Sequence, residues 1–116
     1  MEKFILNKDI IKNIAKSKVI DFEDEVSYQN GQIVSKTLSQ NKNVNMTLFA
    51  FDKDEEISSH SSKGDAFVYV LDGIATITID NKQYELKKGQ SIVMPANIAH
   101  AVYAKEKMKF LLIVIF

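Results

Sequence analysis

The sequence predicts an all-β fold, a sandwich or barrel of short strands, and three observations carry the prediction. Residues 60–104 are an almost unbroken strand-and-turn pattern. Its turns fall on Asp72-Gly73, Asp80-Asn81-Lys82 and Lys87-Lys88-Gly89, and Asp-Gly supplies the positive φ of a tight hairpin. Between turns the period is two: Ala75, Ile77 and Ile79 share one face, Thr76 and Thr78 the other. Short strands joined by tight turns make a sandwich or a barrel.

The elements follow in order. Residues 4–18 (FILNKDIIKNIAKSK) hold a narrow apolar stripe at Ile10, Ile11 and Ile14, with Lys8, Lys12 and Lys16 away from it. A short helix capped by Asn7, with Asp9 in its first turn, fits this pattern; a strand at 4–6 fits it too. Residues 21–25 (DFEDE) are an acidic cluster that lacks the glycine and ligand spacing of a calcium loop, so they read as a solvated loop. Asn30-Gly31 marks a turn. Strands are expected at 32–38 and 44–51, with a turn at 39–43 and a polar loop at 52–56. Further strands fall at 66–71, 74–80, 83–86 and 91–94, the last stopped by Pro95, which has no N–H for a ladder. Another follows His100, over 101–104. Residues 108–116 (MKFLLIVIF) are a continuous apolar run, predicted to be buried on both faces, in the core and under a neighbour. The chain stops inside that strand, so pairing with a second copy in a homodimer is expected. The chain divides into an N-terminal arm, 1–31, and a barrel, 32–116, within one structural domain.

Composition narrows the function. With 116 residues and 46% apolar content the chain builds one core. There is no cysteine, which removes disulfides, thiolate nucleophiles and Cys-ligated zinc. Fifteen basic residues balance fifteen acidic ones, and every basic residue is lysine. Without a positive excess or arginine forks, no nucleic-acid role is expected, and phosphate or carboxylate ligands are disfavoured. The N-terminus lacks the apolar run of roughly 7–15 residues that a secretory signal needs. No run approaches the roughly 20 apolar residues of a membrane helix. The expected location is the cytoplasm, with no membrane partner.

The only two histidines, His60 and His100, bracket the central stretch. Around them the chain resembles the cupin family, small double-sheet jelly-roll barrels. The family's first motif is glycine, five residues, His-x-His, three or four residues, glutamate, six residues, glycine. Here its ligand positions start at His60 and it ends on Gly73. The second is glycine, five residues, proline, x, glycine, two residues, histidine, three residues, asparagine; it runs through Gly89, Pro95 and His100 with the right spacing. The resemblance covers residues 32–116 and is nearest to small single-domain bacterial cupins. It implies a cupin-type jelly-roll β-barrel. The departures are Asp54 and Asn97 at glycine positions, Ser62 at the second histidine, Ala66 at the glutamate and Ala104 at the asparagine. Metal-binding cupins draw three histidines and a glutamate from these motifs; here His60 and His100 remain, a reduced ligand set.

The implied site is a barrel pocket around His60 and His100, taking a small molecule, with Ser62, Asp65, Ala66 and Met94 as further ligand-binding candidates. The two imidazoles and water are the candidate ligands of one divalent metal ion (Mn, Fe, Ni or Zn), the other reading being two neutral, hydrogen-bonded imidazoles near a pocket mouth, and no organic cofactor is expected. The alternative is a metal-dependent dioxygenase or isomerase acting on a small polar metabolite, with Asp65 or water completing the coordination. Strict strand alternation turns Asp65 away from the pocket; a bulge at residues 61–64, helped by Gly64, turns it inward. Metal-free acid–base chemistry of the epimerase kind is disfavoured by the missing arginines, and a Ser62–His100 nucleophile pair lacks any recognisable oxyanion hole. Tyr69, Tyr84 and Tyr103 are expected at the sheet surface or a dimer contact, and Phe49 and Phe51 between the sheets.

Overall fold

The computed structural model describes residues 10–116. Nine strands, β1 (Ile33–Gln40), β2 (Val44–Phe51), β3 (Glu56–His60), β4 (Asp65–Asp72), β5 (Ile74–Ile79), β6 (Lys82–Lys87), β7 (Ser91–Met94), β8 (His100–Ala104) and β9 (Met108–Ile115), form two sheets. One has the order β1-β2-β9-β4-β7, the other β3-β8-β5-β6, and every pairing is antiparallel. The product is a jelly-roll sandwich. Among the described residues no helix is long and apolar enough to cross a membrane.

Alternation builds the core. On β4, Ala66, Val68 and Val70 face inward, while Asp65, Phe67 and Tyr69 face out. Opposite them, Ala75 and Ile77 of β5, Leu86 of β6 and Val102 and Ala104 of β8 close the layer. Phe49, Phe51 and Phe110 fill the space between the sheets; Phe49 stacks on Phe110 at 5.0 Å between centroids. Gly73 turns β4 into β5 at φ +79°, and a Cβ there would sit 1.8 Å from the Lys107 carbonyl oxygen. Only glycine fits such a turn.

β9 explains its own composition. Phe110, Leu112 and Val114 face the inter-sheet core, and Leu111 and Ile113 face a second, outer cluster. The neighbour expected over that outer face is the chain itself: Ile14, Phe22, Val26 and Tyr28 of the arm pack there against Leu38, Leu48 and Ala50. Tyr28 Oη donates to Asp72 Oδ2 at 2.5 Å, and Lys109 Nζ lies 4.9 Å from the Tyr28 ring centre. Together these pin the arm to the sheet.

Three expectations need correction. No helix forms over residues 10–18. Asn13 and Ser17 take left-handed φ values of 67° and 56°, and Lys12 N–H donates to the Leu38 carbonyl at 2.7 Å, so the segment lies along β1 instead. Among the described residues of the arm the one helical element is a 3₁₀ turn, Phe22–Asp24. The proposed cap at Asn7, with Asp9 and the strand at 4–6, lies outside the described residues. Tyr84 lies only partly at the surface: its register partner is Ile77, so it shares that inward face and, half-buried, packs on the core while its edge borders the depression beside Thr76 and Tyr103. Residues 56–60 are a strand, where the loop was expected to run to 56.

Candidate functional site

β3 and β8 bring the two histidines together. Ile57 pairs with Val102, but His60, not Ser59, pairs with His100. One extra residue on β3 is a bulge. A bulge reverses the alternation, which lets Ile57 and His60, three apart in sequence, line the same cavity. The rings sit edge to face, 4.5 Å between centroids and 70° between planes. His100 is buried, at 4% exposure, and His60 is exposed. The pair therefore reaches from the interior to solvent.

Both rings are anchored alike. His60 Nδ1 lies 2.9 Å from the Ser58 carbonyl oxygen, and His100 Nδ1 lies 3.1 Å from that of Ile98. A carbonyl only accepts, so Nδ1 donates in each ring, and the neutral tautomer leaves Nε2 with a bare lone pair. Among the described residues nothing donates to either Nε2. Burial, with the neighbouring His60 ring adding to it, pushes the His100 imidazole below its ordinary pKa; the bond to Ile98 opposes this. His100 is thus held neutral near pH 7.

The cavity has a volume of about 80 Å³. His60, Ser62, Ala66, Met94 and His100 all line it, and the rest of its wall is apolar: Phe49, Ile57, Val102, Phe110, Leu112 and Val114. The wall from β2 and β9 was not foreseen, because which residues of one sheet face which of the other is not written in any local pattern. The signal available was the inward parity of those two strands.

Asp65 does not line the cavity. Alternation is unbroken from Asp65 to Val70, so its side chain faces out, and its Oδ1 accepts the Ala96 N–H at 2.8 Å. Beside it, Asn97 N–H donates to the Ser62 carbonyl at 2.7 Å. These two bonds tie the loop after β3 and the start of β4 to the loop before β8. Gly64 does not supply a positive φ; it supplies room, since a Cβ there would lie 2.6 Å from the Ile115 carbonyl oxygen and 2.8 Å from Val114 Cγ1. Ser62 Oγ is also committed, donating to the Gly64 carbonyl and accepting the Gly64 N–H.

Four of the five motif departures divide into two kinds. Asp54 and Asn97, at glycine positions, keep left-handed φ values of 70° and 63°, which Asp and Asn tolerate best after glycine. Those turns are preserved. Ser62 and Ala66 instead remove metal ligands. Among the described residues no group of three or more His, Cys, Asp or Glu side chains converges. Two imidazoles fall short of the three protein ligands of a catalytic zinc, so the donor set does not fit the four-ligand metal centre of the fold. Larger depressions exist on the surface, about 430 Å³ over residues 20–24 and about 590 Å³ around Thr76, Glu85 and Tyr103. Lysines there are already paired, Lys88 with Glu23 and Lys105 with Glu85.

Comparison with known proteins agrees with this architecture. The family profile described as "Cupin domain" matches residues 47–116, more than half of the chain. A conserved protein of unknown function from Streptococcus pyogenes is 46% identical, with a TM-score of 0.92, covering 94% of this chain and 96% of that one. A cupin superfamily protein from Desulfitobacterium hafniense is 27% identical, with a TM-score of 0.87, over 91% and 97% of the two chains. A cupin 2 conserved barrel domain protein from Leptotrichia buccalis is 45% identical, with a TM-score of 0.79, over 81% of this chain and 46% of that one. No curated protein matches the chain. Motif spacing, two-sheet topology and profile coincide on the same residues, and the chain belongs to the cupin family.

Proposed function

We propose that this cupin binds a small organic molecule in the cavity beside His60 and His100, without a resident metal. The observation that carries the reading is the histidine pair: two rings fixed by backbone bonds, each with an Nε2 that has no partner among the described residues, on a cavity walled by apolar side chains. A few convergent polar groups in an apolar pocket is the general form of a ligand site. A second reading is a metal-dependent enzyme. Its support is that metal-bound histidines also donate their other nitrogen to a carbonyl. Elemental analysis of untagged protein beside a His60→Ala, His100→Ala double variant separates the two, together with a thermal-shift screen of metabolites. The binding reading expects metal well below one equivalent in both proteins. It also expects a ligand that raises the wild-type Tm but not the variant's; a hundredfold excess over Kd stabilises by about 2.7 kcal/mol. Near-stoichiometric metal that disappears in the variant would overturn it in favour of the enzyme.

We also propose that two copies associate through the outer face of β4 and β7. Phe67, Tyr69 and Val93 are exposed there, beside Ile115 and Phe116. β7 is the edge strand and carries no charged residue, unlike β1, β3 and β6. Uncharged edges invite pairing. Light scattering should give a dimer mass for the wild type and a monomer mass for Phe67→Glu; a wild-type monomer would refute the proposal.

A further inference from the structure

Resting on the reading of this cavity as a binding pocket, we infer that its ligand is a small neutral molecule that donates a hydrogen bond, an alcohol or a comparable hydroxyl compound with a branched aliphatic body. The pocket's polar groups are complementary to a donor and to little else. His100 is 96% buried, and its Nε2 is a bare acceptor with no donor among the described residues. The His60 ring lies 4.5 Å away, centre to centre, and its Nε2, in the neutral tautomer, is a second acceptor with no donor among the described residues. Ser62, the remaining polar lining group, has its one hydrogen committed to the Gly64 carbonyl. The cavity therefore offers lone pairs and asks for a hydrogen.

Charge decides against the other donors and acceptors. Among the described residues no Lys, Asp or Glu lines the cavity, and the chain has no arginine. A carboxylate would set its oxygens against two nitrogen lone pairs with no counter-ion. An ammonium would donate well but would enter an apolar wall unpaired, and burying an unpaired charge is costly. A neutral hydroxyl meets neither penalty. Size favours a small body: the cavity, at about 80 Å³, exceeds the roughly 10–15 Å³ that a single water needs and has room for a compact aliphatic group. A larger molecule would extend past His60, which is exposed.

The test uses the full chain with ¹⁵N-labelled histidines, followed by NMR above pH 7. The probes are 2-methylpropan-1-ol, 2-methylpropanoate, 2-methylpropylammonium and xenon. The alcohol is expected to shift the His100 Nε2 resonance and to show contacts with the Val102 and Leu112 methyls. Its affinity should exceed that of either charged isostere by at least about tenfold, the factor that one unmade hydrogen bond represents. In His100→Leu the alcohol should lose that advantage while xenon still enters, which shows a folded variant with its cavity intact. Tighter binding of the carboxylate or the ammonium, or alcohol binding unchanged in His100→Leu, overturns the inference but leaves the pocket. Entry of xenon with no alcohol binding also overturns it. Exclusion of all four probes overturns the binding reading itself.

Discussion

Gly64→Ala tests the packing beneath the site. A Cβ at residue 64 would lie 2.6 Å from the Ile115 carbonyl oxygen and 2.8 Å from Val114 Cγ1, which puts it 0.6 to 0.8 Å inside ordinary contact near 3.4 Å. Val114 is β-branched and stiff at χ1, and it already lines the histidine cavity, so its one escape is into that space. The Ile115 carbonyl belongs to the backbone of a strand paired on both sides and cannot rotate away. Overpacking of this kind costs about 3 kcal/mol when backbone must shift. The lost freedom of the unfolded glycine offsets about 1 kcal/mol. The net, about 2 kcal/mol, lowers Tm by roughly 8 °C for a chain of this length. Urea denaturation and calorimetry would measure it. Gly31→Ala is the control: nothing lies within 4 Å of its Cβ, but φ is +66°, so only the left-handed conformation is penalised, at about 1 kcal/mol. Gly64→Ala within 2 °C of wild type would refute the close approach of residues 114–115 to the loop.

Two further outcomes follow from the same geometry. The His100 pKa is lower folded than unfolded, so the unfolded chain takes up its proton first as pH falls. Stability should therefore be full above about pH 6.5 and decline below it until the folded ring also protonates, and His100→Leu should flatten that slope in urea titrations at several pH values. An unchanged slope in His100→Leu would assign the dependence elsewhere. Asp65→Ala should cost about 1 kcal/mol through the lost bond to Ala96, while Asp65→Asn, which keeps an acceptor oxygen, should cost little and leave ligand affinity within twofold. A large loss of affinity in Asp65→Asn would mean that the carboxylate reaches the ligand.

Much of the fold is legible because it is local. Asp72-Gly73 fixes one hairpin, and the alternation of residues 66–70 fixes which side chains enter the core, including the outward aim of Asp65. The double-faced burial of β9 is legible as well, but the identity of its outer neighbour is not, since residues 14–28 carry no pattern that names their docking surface. β3 escapes notice because EISSH is an exposed edge strand with a single apolar residue, and its bulge leaves no mark in composition. The helix expected near Ile10 fails to a tertiary contact, the bond from Lys12 to Leu38, which local periodicity does not foresee. The histidine pair is legible only through motif spacing; the apolar wall facing it depends on inter-sheet packing and stays hidden.

The central position of β9 has a kinetic consequence. Its partners, β2 and β4, are both far upstream in the chain, and without it their sheet falls into two unlinked pairs, β1-β2 and β4-β7. Long loops must close before either pairing is rewarded, and non-local pairing of this kind is slow. The nucleus for folding is then expected to include β9, so that Phe110→Leu retards refolding, whereas loosening the arm at Tyr28 chiefly accelerates unfolding. A separate peptide spanning residues 108–115 would compete for the same slot, which makes that strand the natural point at which to interrupt assembly.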